Sequence, residues 1–330
     1  MPFGKPVNVG GPYAPDLMGM LMGLVMSYGF GAILKGLGRG MARGLKGLNR
    51  NLLKNFPATQ GLSNKLCRLG FEPVDLVTGR MIYEGEDFNL PGPLPISWER
   101  NWYSDSAYEG MMGHGVHCNY DLALHSVPEE GTMVMRLPDG RVTGFPLVVT
   151  EHGTAYNRPE KLTLTCVDGH TYTVSDHEKQ QTYTFKKFTD TLFKPVKLEN
   201  AEGFNIQFSY NGAHQLEHIV DSAGRKLDMH LEEGRVTKIT AKHEGHERTL
   251  VSYAYNKAGD LTEITDALGQ TTSMHYDDHL MVEKTDRNGQ AFYWEYDGKK
   301  TGARCIRTWG DGGILSGTLE YRDGHNIITN

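Results

Sequence analysis

Cysteine is scarce in this 330-residue chain: there are four, and the nearest two, Cys118 and Cys166, lie 48 residues apart. No CxxC occurs, which excludes a disulfide-stapled scaffold and a zinc ribbon. Four lone thiols suit a reducing compartment. Acidic side chains are almost missing from residues 1–70, which hold nine Lys/Arg against Asp16 alone. The remainder then carries 25 basic and 39 acidic side chains. A cationic head on an acidic body implies two jobs for two segments. Such a body excludes a nucleic-acid partner, because phosphate needs clustered Lys/Arg. No signal peptide is evident, since the first sixteen residues have no apolar run. The GxSxG elbow, the phosphate-binding Walker loop and a GxGxxG after a strand are also missing, so no common catalytic or nucleotide motif is present.

What is there favours folding. Aromatics at 10% supply enough apolar surface for a core. A chain of this length predicts two or three folding units.

The head comes first. Leu17 to Leu34 is eighteen residues without a charge, bounded by Asp16 and Lys35. As a helix it would run about 27 Å, just short of a hydrocarbon core. Its candidate contact residues are Leu17, Gly19, Leu21, Gly23, Val25 and Leu34. Gly19 and Gly23 have the small-xxx-small spacing that lets helices approach closely. Two readings stay open: a membrane-active segment, or a hydrophobic helix buried against a partner. Beyond it, Lys35, Arg39, Arg43, Lys46, Arg50 and Lys54 recur at steps of three or four, opposite a stripe of Leu and Met. That pattern predicts an amphipathic helix facing a membrane surface or an anionic partner. Its five glycines (36, 38, 40, 44, 47) make it marginal alone, so it should order on a partner or bilayer.

From Glu72 onward the hydrophobic period changes to two. Residues 81–84, 96–103, 162–167 and 171–174 alternate in strand fashion. Turn signals at 91–95, 138–140 and 168–169 separate them. The expectation is an all-β body behind a short helical head.

The last 130 residues repeat. Tyr210-Asn, Tyr255-Asn, Tyr276-Asp, Tyr296-Asp and Tyr321-Arg-Asp mark the period, with His230 filling the long gap between the first two. Turns at Asp221–Gly224, Asn256–Gly259, Asp266–Gly269 and Asp286–Gly289 lie between them. Each Asp or Asn can form an Asx turn, and each Gly accepts positive φ. One repeat is a hairpin of about 20 residues, too small to bury a face alone, so the hairpins should stack into a continuous sheet.

These residues resemble a known family. Residues 255–276, with Gly259, Asp266, Gly269 and Tyr276, are similar to the YD repeat of Rhs proteins; Gly289 and Tyr296 continue the pattern. The stretch Glu72-Pro73-Val74-Asp75 to Gly79, then Asp87 to Pro95 with Leu90, Pro91 and Gly92, then Trp98 to Ser104 with Arg100, resembles the domain that opens Rhs shells. Residues 7–35 and 62–70 are similar to the linker before that domain in Rhs effectors of type VI secretion systems. The resemblance implies three segments: a head and linker at 1–70, a shell-opening β domain at 71–195, and a YD-repeat sheet of about six hairpins at 196–330.

It also implies a function: a β-cocoon enclosing a C-terminal toxin, plugged at one end by the N-terminal domain. The implied partners are a hydrophobic-groove chaperone on the N-terminal helices, a secretion spike protein, the remaining shell and toxin chain, and transiently a target membrane. The implied location is the producer cytoplasm, then secretion. The chain departs from the family in being short, in lacking the aspartate core motif, toxin and spike domain, and in having Val116 where a Trp is usual. It therefore resembles the front piece of a shell. A surface YD-repeat module that binds carbohydrate or protein is the alternative.

Two clusters invite a chemical reading. His114-x-x-His117-Cys118 has the makings of three metal ligands, but no fourth of matching spacing follows. In His243-Glu-Gly-His246 the second His is one position early for a metalloprotease helix. Both are expected to be structural, with no enzyme activity, metal or cofactor.

Overall fold

The computed structural model describes residues 7–8 and 73–329, except 244, 323 and 324. The candidate contact residues between Leu17 and Lys46, and with them the helical head, lie outside the described residues. Among the described residues the architecture is all-β, interrupted by two single 3₁₀ turns at Pro128–Glu130 and Asp311–Gly313.

One antiparallel sheet of 21 strands dominates. From Thr154–Asn157 to His325–Thr329 each strand pairs with the next in sequence. The sheet runs without a break through residues 195 and 196. Alternation explains it: in Leu162–Cys166 and Thr171–Asp176 every second side chain is buried. The expected turns close the hairpins. Asp221, Asn256, Asp266 and Asp286 each accept two backbone N–H groups through Oδ1. Asn211 does the same, with His214 rather than glycine in the left-handed position at φ 60°.

Strand Leu192–Asn200 is a fork. Phe193 to Asn200 pair on one edge with Gln181–Lys187. On the other edge Leu192 and Phe193 pair with Ala123–Val127, whereas Lys197 to Glu199 pair with Asn205–Tyr210. Pro195 sits between the two partners. Proline has no N–H for a ladder, so a strand can change neighbours there at little cost. Strands Thr132–Arg136 and Val142–Pro146 extend the branch.

The strand near Leu319 and Tyr321 is not the sheet's edge. It pairs with His325–Thr329, which in turn pairs with Val7–Asn8. Two residues from within 1–70 thus add a strand after the last repeat.

A smaller sheet of Ile82–Leu90, Ile96–Tyr103 and Val116–Cys118 belongs to the block 73–122. Trp98, Trp102, Met112 and Leu122 from this block are buried in one cluster with Ile219, Val251, Ile264 and Trp294 of the large sheet. One core therefore joins the two.

Candidate functional site

The repeat tyrosines form a ladder. A β-bulge precedes each of Tyr210, Tyr255, Tyr276 and Tyr296. The extra residue lies on the following strand, at Glu217, Thr262, Val282 and Ile306, while each tyrosine keeps the buried face of its own strand. Each phenol then donates to a main-chain carbonyl one repeat back: Tyr210 to Pro195 at 2.8 Å, Tyr255 to Val236 at 2.8 Å, Tyr276 to Leu261 at 2.9 Å and Tyr296 to Met281 at 2.7 Å. Tyr321 reaches Cys305 in the same way. Leu261, Met281 and Cys305 are themselves the register partners of Tyr255, Tyr276 and Tyr296. The ladder thus ties each hairpin to the next. Burial raises all these phenols above the usual tyrosine range, so they stay protonated and donate.

The ladder corrects one assignment. The bulge falls between His230 and Leu231, and Leu231 pairs with Val236. Leu231, not His230, therefore occupies the tyrosine position and packs on the core beside the repeat tyrosines. His230 instead shares a hydrogen bond with Thr240 at 3.1 Å. A leucine there gives one rung without a hydroxyl, and the carbonyl of Leu216, opposite Tyr210, receives none.

The block 73–122 docks along this ladder. Asp75 accepts the N–H of Val77 at 2.9 Å, and its carbonyl accepts that of Gly79 at 2.7 Å. Gly79 has φ 77°, and a Cβ there would lie 2.6 Å from the Tyr321 ring. This explains why the motif ends in glycine: the residue needs a left-handed conformation and close approach together. Val74 is fully buried beside Met81. Trp98 packs between Phe88 and Tyr120. Trp102 meets Tyr276 edge-on at 6.0 Å. The Val236 N–H donates to Met111, and the His114 N–H to Gly259. Gly302 and Cys305 donate to Ser104 and Gly79, and Asn326 donates to the carbonyls of Leu76 and Val77. Near Gly92 and Pro93, Asn200 donates to the Pro93 carbonyl. Leu90, the residue before Pro91, packs against the same core.

Its centre is a buried charge cluster. Arg100 Nε donates to both oxygens of Asp87, at 3.0 and 3.1 Å, and the guanidinium lies over the Tyr83 ring. Across the interface, Tyr253 donates to Asp87 at 2.6 Å. Burial opposes the Arg100 charge, but adjacent Asp87 holds the guanidinium above its ordinary range. Burial, then Asp87, raises the Tyr253 phenol. In the sequence Asp87 stands only within the 87–95 motif, and Tyr253 belongs to no motif. That tyrosine lies two residues before a repeat tyrosine, which is the one signal it offers.

Among the described residues His114, His117 and Cys118 do not form a group that could hold a metal ion. His114 pairs with Glu109 at 2.6 Å and stacks on His279 at 3.8 Å, while His279 pairs with Asp260. His117 contacts the Ser106 hydroxyl at 3.0 Å, and burial drives its imidazole down to about 3. Burial raises the Cys118 thiol, which opposes thiolate formation. His243 and His246 are register partners closing a hairpin. Among the described residues no helix is long and apolar enough to cross a membrane. The arrangement holds and closes a sheet.

Known proteins share these segments. Residues 71–145 match a domain of unknown function, DUF6531, and residues 169–313 match the Teneurin YD-shell. A curated relative, the double-stranded DNA deaminase toxin A of Burkholderia cenocepacia, is 25% identical over 204 residues. That match covers 59% of this chain and 14% of the relative's length. Among solved structures, the TcdB2–TccC3–Cdc42 complex aligns with 62% of this chain and 12% of its own, at 10% identity and a TM-score of 0.33. The Photorhabdus luminescens Tc holotoxin pore gives the same identity and score over 62% and 11%. The chain thus carries a segment similar to DUF6531 followed by a segment similar to the Teneurin YD-shell.

Proposed function

We propose that this chain is the opening part of an Rhs toxin shell that encloses a C-terminal toxin and carries it through a type VI secretion system. The observation that carries this reading is the docking of residues 73–122 along the tyrosine ladder, which gives a repeat sheet a built-in end piece. The YD-shell match and a relative named as a toxin support it. In this reading the chain is not an enzyme. It works by folding around a cargo and by shielding it, with the remaining shell and the toxin as covalent or bound partners.

The head has a separate task in this reading. Residues 17–54 are held by a hydrophobic-groove chaperone in the producing cytoplasm, released on engagement with a secretion spike, and presented to the target membrane. The test is to tag the chain in its own cell and purify it at native levels. Recovery with a toxin-bearing shell and a groove-type chaperone, and appearance in the medium only when the contractile sheath is intact, is the expected result. Appearance at the cell surface after leader cleavage, independent of the sheath, overturns it.

A further inference from the structure

The fork at Pro195 opens a cleft. The block 108–122, the branch strand ending at Arg136 and the hairpin turn 211–215 enclose a cavity of about 380 Å³ there. This volume is enough for a small organic molecule. Three charged side chains decide its character. Arg136 and Lys194 line it with Asp121 between them.

The cations are incompletely used. Arg136 lies 4.3 Å over the Tyr108 ring, and its side chain is 12% exposed. Its Nη1 is 3.5 Å from Asp121, yet neither Nη1 nor Nε has a hydrogen-bond partner among the described residues. Asp121 already accepts the Tyr108 hydroxyl at 2.6 Å on the oxygen that faces Arg136. Lys194 Nζ sits 5.3 Å over the Tyr210 ring, with no ion pair among the described residues. A second carboxylate, Glu109, stands at the rim and is drawn to His114. The inner cleft therefore holds two cations against one acid. Burial lowers both cations' affinity for protons; at Lys194 nearby Asp121 opposes this and Arg136 adds to it. An anion would relieve that strain.

The remaining walls are apolar: Met111, Leu122 and Leu192 line the same space. Leu216, at the rung without a tyrosine hydroxyl, lines it too. Inorganic phosphate would leave those walls unused. We propose that this cleft binds a small organic anion, a carboxylate carried on an apolar body, with Arg136 and Lys194 gripping the oxygens. Charge-assisted hydrogen bonds supply the attraction, and the leucine wall supplies the selection for an apolar body.

The test uses the full chain and titration calorimetry with sodium benzoate at fixed ionic strength, then with inorganic phosphate. Saturable 1:1 binding of benzoate, and weaker binding of phosphate, is expected. Lys194→Gln should weaken benzoate binding by about tenfold, the loss of one charged contact. Ala213→Trp, on the exposed turn at the mouth, should block binding by filling the entrance. Circular dichroism melts establish that each variant is folded, and Ala213→Trp decides the matter if Lys194→Gln is not. Absence of benzoate binding by the folded wild-type chain overturns the proposal. So does phosphate binding as tightly as benzoate, or unchanged affinity in the folded Ala213→Trp variant.

Discussion

The block 73–122 and the sheet 154–329 hold together by different means. The sheet repeats one device: an Asx turn, a bulge, and a tyrosine hydroxyl on the carbonyl one repeat back. Each copy is worth little, and its effect comes from iteration. The block uses single contacts made once, such as Asp87 with Arg100 and Tyr253, or Gly79 against Tyr321. A repeat array tolerates a defective unit, because each unit touches only its neighbours. A keyed block does not, since each of its buried charges has one set of partners.

The largest effect should follow from breaking that key. Asp87→Ala leaves Arg100 buried and uncompensated, and strips Tyr253 of its acceptor. A loss of about 3–5 kcal/mol is expected in denaturant melts, the cost of removing one partner of a buried ion pair. If it costs no more than a single ladder rung, the contrast between block and sheet fails.

Acid should loosen the block next. Burial holds the His117 imidazole down to about 3, whereas in the unfolded chain it titrates near 6.5. The unfolded state therefore binds more protons between these values, and stability falls as pH falls through that window. The loss reaches about 2 kcal/mol by pH 5. Melts from pH 7 to pH 4 should show this slope, and His117→Gln should flatten it. A slope that survives the substitution assigns the acid sensitivity elsewhere.

Within the sheet the effects are smaller and can take either sign. Tyr296→Phe removes one hydroxyl rung and should cost about 1 kcal/mol. Leu231→Tyr should do the reverse, adding a rung to the Leu216 carbonyl and raising stability by up to about 1 kcal/mol. Thermal melts of both, and of the pair together, measure whether rungs add. A destabilised Leu231→Tyr shows that the leucine is needed for packing.

The smallest effect concerns Asp228, which bridges Lys226 and Lys242. Burial acts to raise its carboxyl, but hydrogen bonds from Lys242 and Lys226 pull it down to about 2. Its contribution is present above about pH 4 and lost as pH falls toward 2. Both lysines are nearly half exposed, so solvent screening keeps it under about 1 kcal/mol. At pH 5 the sheet should thus be intact where the block is weakened. Hydrogen exchange at pH 5 tests this directly: faster exchange at Trp102 than at Trp294 is expected, and equal rates break the comparison.

Much of the sheet was legible in the chain. Period-two alternation, and Asp or Asn three residues before Gly, announce hairpins through local chemistry alone. The block was legible as a motif, and Trp98, Arg100 and Gly79 prove to be buried or closely packed. Its partners were not. Asp87 and Tyr253 are 166 residues apart in sequence. The misplacement of His230 has another root. The spacing between repeats pointed to His230, whereas Leu231 continues the buried alternation of Leu227 and Met229 and pairs with Val236 across the bulge.

The sequence by itself determined the β body, the repeat and its turns, because these depend on side-chain alternation and on residues that bond their own neighbours. Only the tertiary structure decided that the fork opens a cleft with two cations and one acid, and that Val7–Asn8 pairs beyond the last repeat. It likewise decided that the block keys into the sheet at Tyr253, Tyr276 and Tyr321. The physical reason is distance along the chain. Turn chemistry acts within about five residues, whereas these contacts exist only after the whole sheet has brought remote strands side by side.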